Sequence, residues 1–254
     1  RIIMNNTIRL LNNTEYSKSE LIEKMYDDDF YYGFLGENAL SSSSIKDLLD
    51  GRYFDKSVEL ASATKEAFKI GRLIHLAVLE PERIAEQHIG GNTRASKEYK
   101  QLVEVVGSSD NVYTNRMVEK ATRFADKVWG DNAWLFNKKG LHCELPEIGI
   151  VDGLPFRGKA DMIVKSEGER NVIVDLKTTS NLAMWQDSAI RYSYDIQLYI
   201  YCILFGVKPE DFYWLAMCKR NGDSKLFRGS DTLYQTGREK TLEAIKIYVD
   251  GLFE

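Results

Sequence analysis

The chain has 254 residues, of which 44% are hydrophobic and 28% are charged, and these values are ordinary for a soluble globular protein with a sizeable core. No apolar run approaches the roughly eighteen residues of a transmembrane helix, and the polar start RIIMNNTIRL is unlike a secretory signal, so we expect a cytoplasmic protein without a membrane span. The formal net charge of −4 excludes a passive nucleic-acid coat, which would be strongly basic, but does not exclude an enzyme that binds nucleic acid through a local basic patch.

The first half of the chain is predicted to be mainly helical. Residues 1–17 show no periodic pattern and are predicted to be irregular. The run SSSSIKDLLD offers serine hydroxyls that can cap a helix. Apolar residues recur at helical spacing over 62–79, where Gly71 costs about 1 kcal/mol relative to alanine and is expected to permit close packing. The predicted helices cover 18–28, 41–50, 62–79, 94–106 and 115–129.

The second half contains most of the β-forming residues, in runs bounded by turn residues. The predicted strands cover 141–146, 154–165, 171–179, 211–220 and 225–230. Two helices are predicted at 195–206, where Gly206 ends the apolar run, and at 236–253. This order predicts an α/β or α+β fold in which a mixed central sheet is flanked by helices. We expect one domain over 1–254, mainly helical over 1–135, with the sheet within 136–254.

Asp161 and Asp175 fall on two neighbouring predicted strands, separated by the turn-like segment KSEGERN. Asp175 and Lys177 are two residues apart, so a strand would point both side chains to the same face. The apolar run VIVDL is typical of a central strand covered on both faces, where such charges are costly unless they are paired or bind something. Mg²⁺ prefers oxygen ligands, so both carboxylates and the Leu176 carbonyl are candidate ligands, and Lys177 would lie beside the bound water. The alternative is a surface Asp–Lys pair on an edge strand, because a lone D-x-K pattern has low specificity.

Together with its neighbours, this pattern resembles the PD-(D/E)XK nuclease superfamily. GRLIHLAVLEP is similar to the family's GxxxH helix, with His75 as the upstream metal ligand. ADMIV carries Asp161, VDLKTT carries Asp175 and Lys177, and QLYIY provides the Q-x-x-x-Y helix. This order is similar to RecB-type nuclease domains. SSSSIKDLL, followed by TKEAFKIGRLIHLAVLEPER and the basic TRASKEYK, is closer to the RecE-type exonuclease (exodeoxyribonuclease VIII) domain of phages and prophages.

The resemblance implies roles for residues in each segment. The residues expected to bind Mg²⁺, or alternatively Mn²⁺, are His75, Asp161, Asp175 and, through its carbonyl, Leu176. The expected catalytic residues are Asp161, Asp175, Lys177 and Gln197, the last near the lysine or the scissile phosphate. Thr178 and Tyr201 are expected to contact DNA. The alternatives are that His75 is a hydrogen-bonded core residue, and that Gln197 and Tyr201 form a buried polar pair that serves the fold.

Arg94, Lys97 and Lys100 recur at a spacing of three residues. We interpret them as a phosphate clamp, because such cations neutralise the DNA backbone, although a solvated helix face is the alternative. Arg157 and Lys159, near Asp161, are weaker candidates for the same role.

Glu144 lies on the strand before Asp161 and is interpreted as surface charge, with a metal-linked role as the alternative. The cysteines at 143, 202 and 218 show no C-x-x-C pairing. We therefore expect neither a disulfide framework nor a zinc or iron–sulfur site. We also expect the protein to be in a reducing compartment.

The resemblance implies an exonuclease that degrades linear double-stranded DNA from a 5′ end and leaves a 3′ single-stranded overhang for recombination. It also implies a homo-oligomeric ring around DNA ends and a single-strand annealing protein as partner. Within enzymes, the alternatives are an endonuclease or a Cas4-like nuclease without an iron–sulfur cluster. A non-catalytic DNA-recombination scaffold is a further alternative, but every motif position is filled.

Overall fold

A computed structural model describes residues 7–55, 57, 62–168 and 170–252 of the chain. Residues 1–6 of the predicted irregular start, residue 169 of the predicted turn and residue 253 of the last predicted helix lie outside this part. Within it, the strands are β1 (Thr7–Arg9), β2 (Glu15–Ser17), β3 (His88–Ile89), β4 (Val112–Tyr113), β5 (Leu141–Val151), β6 (Leu154–Val164), β7 (Val172–Thr179), β8 (Phe212–Cys218) and β9 (Ser224–Arg228). The helices are α1 (Lys18–Lys24), α2 (Leu35–Asn38), α3 (Ser42–Leu49), α4 (Ser62–Leu79), α5 (Lys97–Val106), α6 (Asn115–Asp131), α7 (Ala133–Phe136), α8 (Trp185–Arg191), α9 (Tyr194–Phe205) and α10 (Asp231–Gly251).

The central sheet of the described residues has the order β5-β6-β7-β8-β9. Strands β5, β6 and β7 are antiparallel neighbours, β7 and β8 are parallel, and β9 is antiparallel to β8. Because parallel strands need a crossover connection, the chain passes through α8 and α9 between β7 and β8. This mixed sheet flanked by helices confirms the predicted fold class.

Each face of the sheet is covered by a separate apolar core. On one face, Ile173 and Trp214 pack with residues of α3, α9 and α10. On the other, Leu176 and Leu215 pack with residues of α4 and α6. Strand β7 therefore lies between two helical layers, which explains its nearly continuous apolar run.

Most predicted elements are confirmed, with differences at their ends and in the N-terminal segment. Ser41 caps α3 by accepting a hydrogen bond from the Ser44 N–H, as the serine run predicted. The predicted irregular start is wrong for β1 and β2, which pair antiparallel around Asn13, a residue at φ 65°. Helix α5 begins three residues later than predicted, so Arg94 precedes it. Helix α8 was missed, because its seven residues are too short to show a clear period.

No helix in the described part of the chain combines the length and the apolar character that crossing a membrane requires.

Candidate active site

The candidate active site lies where β6 and β7 separate. Their pairing ends at Met162 and Val174, so the next facing positions, Asp161 and Asp175, lie just beyond the last paired residues. There the Leu176 N–H donates a hydrogen bond to Asp161 Oδ2 at 2.7 Å, so this backbone N–H of β7 bonds to a side chain of β6. The break in the ladder lets groups from both helical layers meet between the two strands.

Helix α4 brings His75 to this break. A Cβ at Gly71 would lie 3.5 Å from Thr178 Oγ1, which is an ordinary contact, so the packing of α4 on β7 does not require the glycine that was expected to permit it. His75 Nδ1 lies 3.5 Å from Asp161 Oδ2. Burial and the positive charge of Lys177 lower the pKa of His75 to about 4, although a hydrogen bond with the Leu176 backbone opposes the shift. The imidazole is therefore neutral near pH 7, the form that can bind a metal.

Asp175 and Lys177 form a buried ion pair. The Lys177 ammonium contacts Asp175 Oδ2, and the Asp175 side chain is fully buried. Burial raises the pKa of Asp175 to about 6, and attraction to Lys177 opposes the rise. Burial also raises the pKa of Asp161, against the effects of Lys177 and the Leu176 N–H. For Lys177, burial alone would lower the pKa, but the two aspartates outweigh it and raise the pKa.

Helix α9 supports the site from the opposite face. Gln197 Nε2 donates to Asp175 Oδ1 at 2.6 Å. One turn later, the Tyr201 hydroxyl donates to Lys159 O at 2.9 Å and accepts from Lys159 N at 3.3 Å. Tyr201 is buried, so the structure does not offer it as the expected DNA contact. Its bonds instead hold the β6 backbone two residues before Asp161.

The side chains of this site are of the types that bind a divalent cation, but the positive charge beside Asp175 is at present that of Lys177. His75 and the two aspartates supply an imidazole and carboxylates, and the Leu176 backbone is adjacent. Among the described residues, no three His, Cys, Asp or Glu side chains already surround one point. Asp175 Oδ2 has no hydrogen-bond donor in that same set and is faced only by the Lys177 ammonium. A cation that binds Asp175 must therefore replace the charge that Lys177 now supplies.

Glu144 is a third carboxylate beside this site. Cys143 pairs with Met162 and Leu145 with Ala160, so Glu144 faces Asp161 across an interrupted ladder. It has φ 49° and is half-buried. Burial and repulsion from Asp161 raise its pKa to about 8. Glu144 thus lies beside Asp161, and both its interpretation as surface charge and the metal-linked alternative stay predictions.

The predicted basic and polar contacts are spread over several surfaces. Arg94 pairs with Glu66 of α4 and lines an open groove of about 300 Å³ together with Arg116 and Lys120. Lys97 and Lys100 are exposed on α5 but do not line that groove. Their contact with DNA stays a prediction. Thr178 is half-buried against α4.

Two weaker candidates for phosphate binding are engaged elsewhere. The buried Arg157 guanidinium lies over the Tyr31 ring at 4.5 Å, and its Nε donates to Leu35 O. Lys159 pairs with Asp28 at 3.0 Å. As placed, neither side chain is free for DNA.

Lys46 of α3 also lies near the site. Its Nζ lies 5.4 Å from the Tyr194 ring centroid, and Lys177 Nζ lies 5.3 Å from the same centroid. In sequence, Lys46 is one polar position of an amphipathic helix and carries no signal that distinguishes it from a surface lysine.

The fold and the site together define a nuclease-type protein of the PD-(D/E)XK superfamily. A family model described as a PDDEXK-like domain of unknown function (DUF3799) matches residues 41–250. This match covers most of the chain, which therefore belongs to that family. No curated protein sequence matches the chain.

Two solved structures are similar to this chain. The first is a crystal structure of a proposed exonuclease from Eubacterium rectale, with a TM-score of 0.53 and 15% identity, covering 87% of this chain and 84% of that one. At this identity the similarity shows a shared fold alone. The second, the structure of SSO0001, has a TM-score of 0.34 and 14% identity over 84% of this chain and 87% of that one, and is too distant to carry an argument.

Proposed function

We propose that this protein is a divalent-metal-dependent exonuclease that degrades linear double-stranded DNA. The observation that carries the proposal is the meeting of Asp161, Asp175 and Lys177 at the break between β6 and β7, with neutral His75 alongside. A buried pair of carboxylates beside an ammonium is costly for the fold alone, so it indicates a site built for charged ligands.

The residues divide the chemistry of phosphodiester hydrolysis among them. His75, Asp161, Asp175 and the Leu176 carbonyl would hold Mg²⁺, or Mn²⁺, which supplies Lewis-acid activation of the phosphate and of water. Lys177 stabilises the negative charge that develops on the phosphate oxygens in the transition state. Gln197 fixes the carboxylate plane of Asp175 through Oδ1, so that Oδ2, which now faces Lys177, is the oxygen that the metal would take.

The finer points of the proposal rest on the resemblance to RecE-type enzymes. They are cleavage from the 5′ end, a 3′ single-stranded overhang used in recombination, a homo-oligomeric ring and a single-strand annealing partner. A ring would let a subunit of net charge −4 stay on DNA without strong electrostatic attraction.

Release of acid-soluble nucleotides from linear and covalently closed circular duplex, with Mg²⁺ or Mn²⁺, tests the proposal. We expect the linear duplex to be digested and the circle to remain intact, and Asp175→Asn and Lys177→Met to abolish release. The polarity is read from duplexes labelled at the 5′ or the 3′ end. Nicking of the circle would establish the endonuclease alternative, and no release from either substrate would refute the nuclease.

A further inference from the structure

Lys46 is a half-buried cation whose neighbouring carboxylates are already paired. Asp47, the next residue, pairs with Arg52 at 2.9 Å. Asp195 of α9 pairs with Lys240 of α10 at 2.8 Å, and Asp175 pairs with Lys177. Among the described residues, no carboxylate forms an ion pair with Lys46.

The charges that act most strongly on Lys46 leave an excess of one positive charge. They come from β7, α9 and α10, and they are Lys177, Asp175, Asp195 and Lys240. With Lys46 itself, three ammonium groups face two carboxylates. An excess cation that is shielded from water is stabilised by an anion, so this surplus indicates an anionic ligand.

Tyr194 fixes the position of this surplus charge relative to the candidate active site. Lys46 and Lys177 both approach its ring, and Trp185 stacks on the ring at 5.5 Å. Because each ammonium group lies within 5.4 Å of the same ring centroid, the two are close enough together for one DNA strand to contact both.

We propose that Lys46 binds the DNA backbone phosphate next to the one that Lys177 contacts. This inference rests on the proposed function, because it takes DNA as the ligand. Burial and Lys177 lower the pKa of Lys46 to about 8 in the free protein, so part of the ammonium loses its proton near that pH. A bound phosphate would favour the charged form and restore the proton.

DNA binding without metal tests Lys46 separately from cleavage. The fluorescence anisotropy of a labelled linear duplex is measured in EDTA over a salt series, with wild type, Lys46→Met, Lys46→Arg and, as control, Lys139→Met. Lys139 is an exposed lysine in the turn before β5. We expect Lys46→Met to weaken binding about tenfold, as loss of one charge-assisted bond requires. The slope of log K against log salt should fall by about 0.9, the value for one phosphate contact.

A pH series separates a charge contact from a structural role. Wild-type affinity should fall as the pH rises from about 7 to about 9, because Lys46 loses its proton over this range. Lys46→Arg should bind well and lose this part of the decline, because arginine stays charged. The melting temperature of Lys46→Met should not fall, because burial disfavours the charged lysine.

The outcomes separate this inference from the nuclease proposal. If Lys46→Met bound DNA with the same affinity and the same salt slope as the wild type, the inference would be overturned, whether or not the protein cleaves DNA. Loss of affinity in both variants together with lower melting temperatures would also overturn it, because the role would be structural. A slope that depends on Lys46 in a protein that cleaves nothing would leave the phosphate site standing and refute the nuclease.

Discussion

Replacing Asp175 by asparagine is expected to stabilise the metal-free protein while it abolishes activity. Asparagine has nearly the same shape, and its Oδ1 can keep the hydrogen bond from Gln197. It removes a negative charge from a fully buried position on β7. The usual effect of losing a buried ion-pair partner is destabilisation, so the direction of the change tests the electrostatics of the site.

The magnitude follows from the raised pKa of Asp175. The folded protein holds this proton up to about pH 6, whereas the unfolded chain releases it near pH 3.8. The stability from this group is therefore present below pH 3.8 and is lost as the pH rises through about 6. At 1.36 kcal/mol per pKa unit, the charged form costs about 3 kcal/mol at neutral pH. The raised pKa already includes the attraction of Lys177, so we expect a gain of about 1–3 kcal/mol for Asp175→Asn.

Urea denaturation in EDTA at neutral pH, and again near pH 5, measures this gain. The gain should shrink at the lower pH, where wild-type Asp175 holds its proton. Adding Mg²⁺ should raise the melting temperature of wild type more than that of Asp175→Asn, because the cation compensates the buried charge. Asp126→Asn, at an exposed position of α6, is the control. A less stable Asp175→Asn in EDTA, or an equal Mg²⁺ shift in both proteins, would refute this reasoning.

Three further predictions concern the elements around the site. The imidazole of His75 should show no titration in NMR spectra between about pH 5 and about pH 8, because its pKa is lowered to about 4; a midpoint near 6.5 would contradict this. Gly71→Ala should stabilise the protein by about 0.5–1 kcal/mol, since the new Cβ has an ordinary contact of 3.5 Å with Thr178. Gly237→Ala should instead destabilise it by about 2 kcal/mol, since its Cβ would lie 2.0 Å from a backbone oxygen of α9. Urea denaturation of both variants checks the contrast, and equal effects would contradict it. Tyr201→Phe should lose about 1 kcal/mol of stability and slow cleavage by loosening the β6 backbone; an unchanged melting temperature and rate would show that the hydroxyl does neither.

The arrangement of the candidate catalytic residues on β7 could be predicted because it depends on local rules. Asp175 and Lys177 share a strand face since side chains alternate along β7. The position of Gly71 opposite Thr178 does not explain the glycine, because an added Cβ would have an ordinary contact of 3.5 Å there. The break between β6 and β7 could not be predicted, because it depends on where two strands stop pairing.

The contacts of other residues could not be predicted, because helical spacing shows which residues share a face of a helix but not which element packs against that face. Gln197 and Tyr201 are four residues apart on α9, yet one contacts β7 and the other contacts the β6 backbone. The same limit explains Lys46, whose surroundings come from α9, α10 and β7. Arg94 fell outside α5 because the chain reaches its N-cap only at Ser96.

The site carries two opposite charge imbalances that one substrate complex can resolve. Glu144, Asp161 and Asp175 occupy facing positions on three successive strands, where burial raises the pKa of each carboxyl group. On the other side of Asp175, Lys46 and Lys177 approach one tyrosine ring. Under the proposed function, a bound divalent cation would relieve the repulsion among the carboxylates and, by competing for Asp175, would free Lys177 for a phosphate. A bound phosphate would in turn draw Lys177 away from Asp175. Because coupling between two ligands is reciprocal, we expect DNA and metal to bind this site more tightly together than separately.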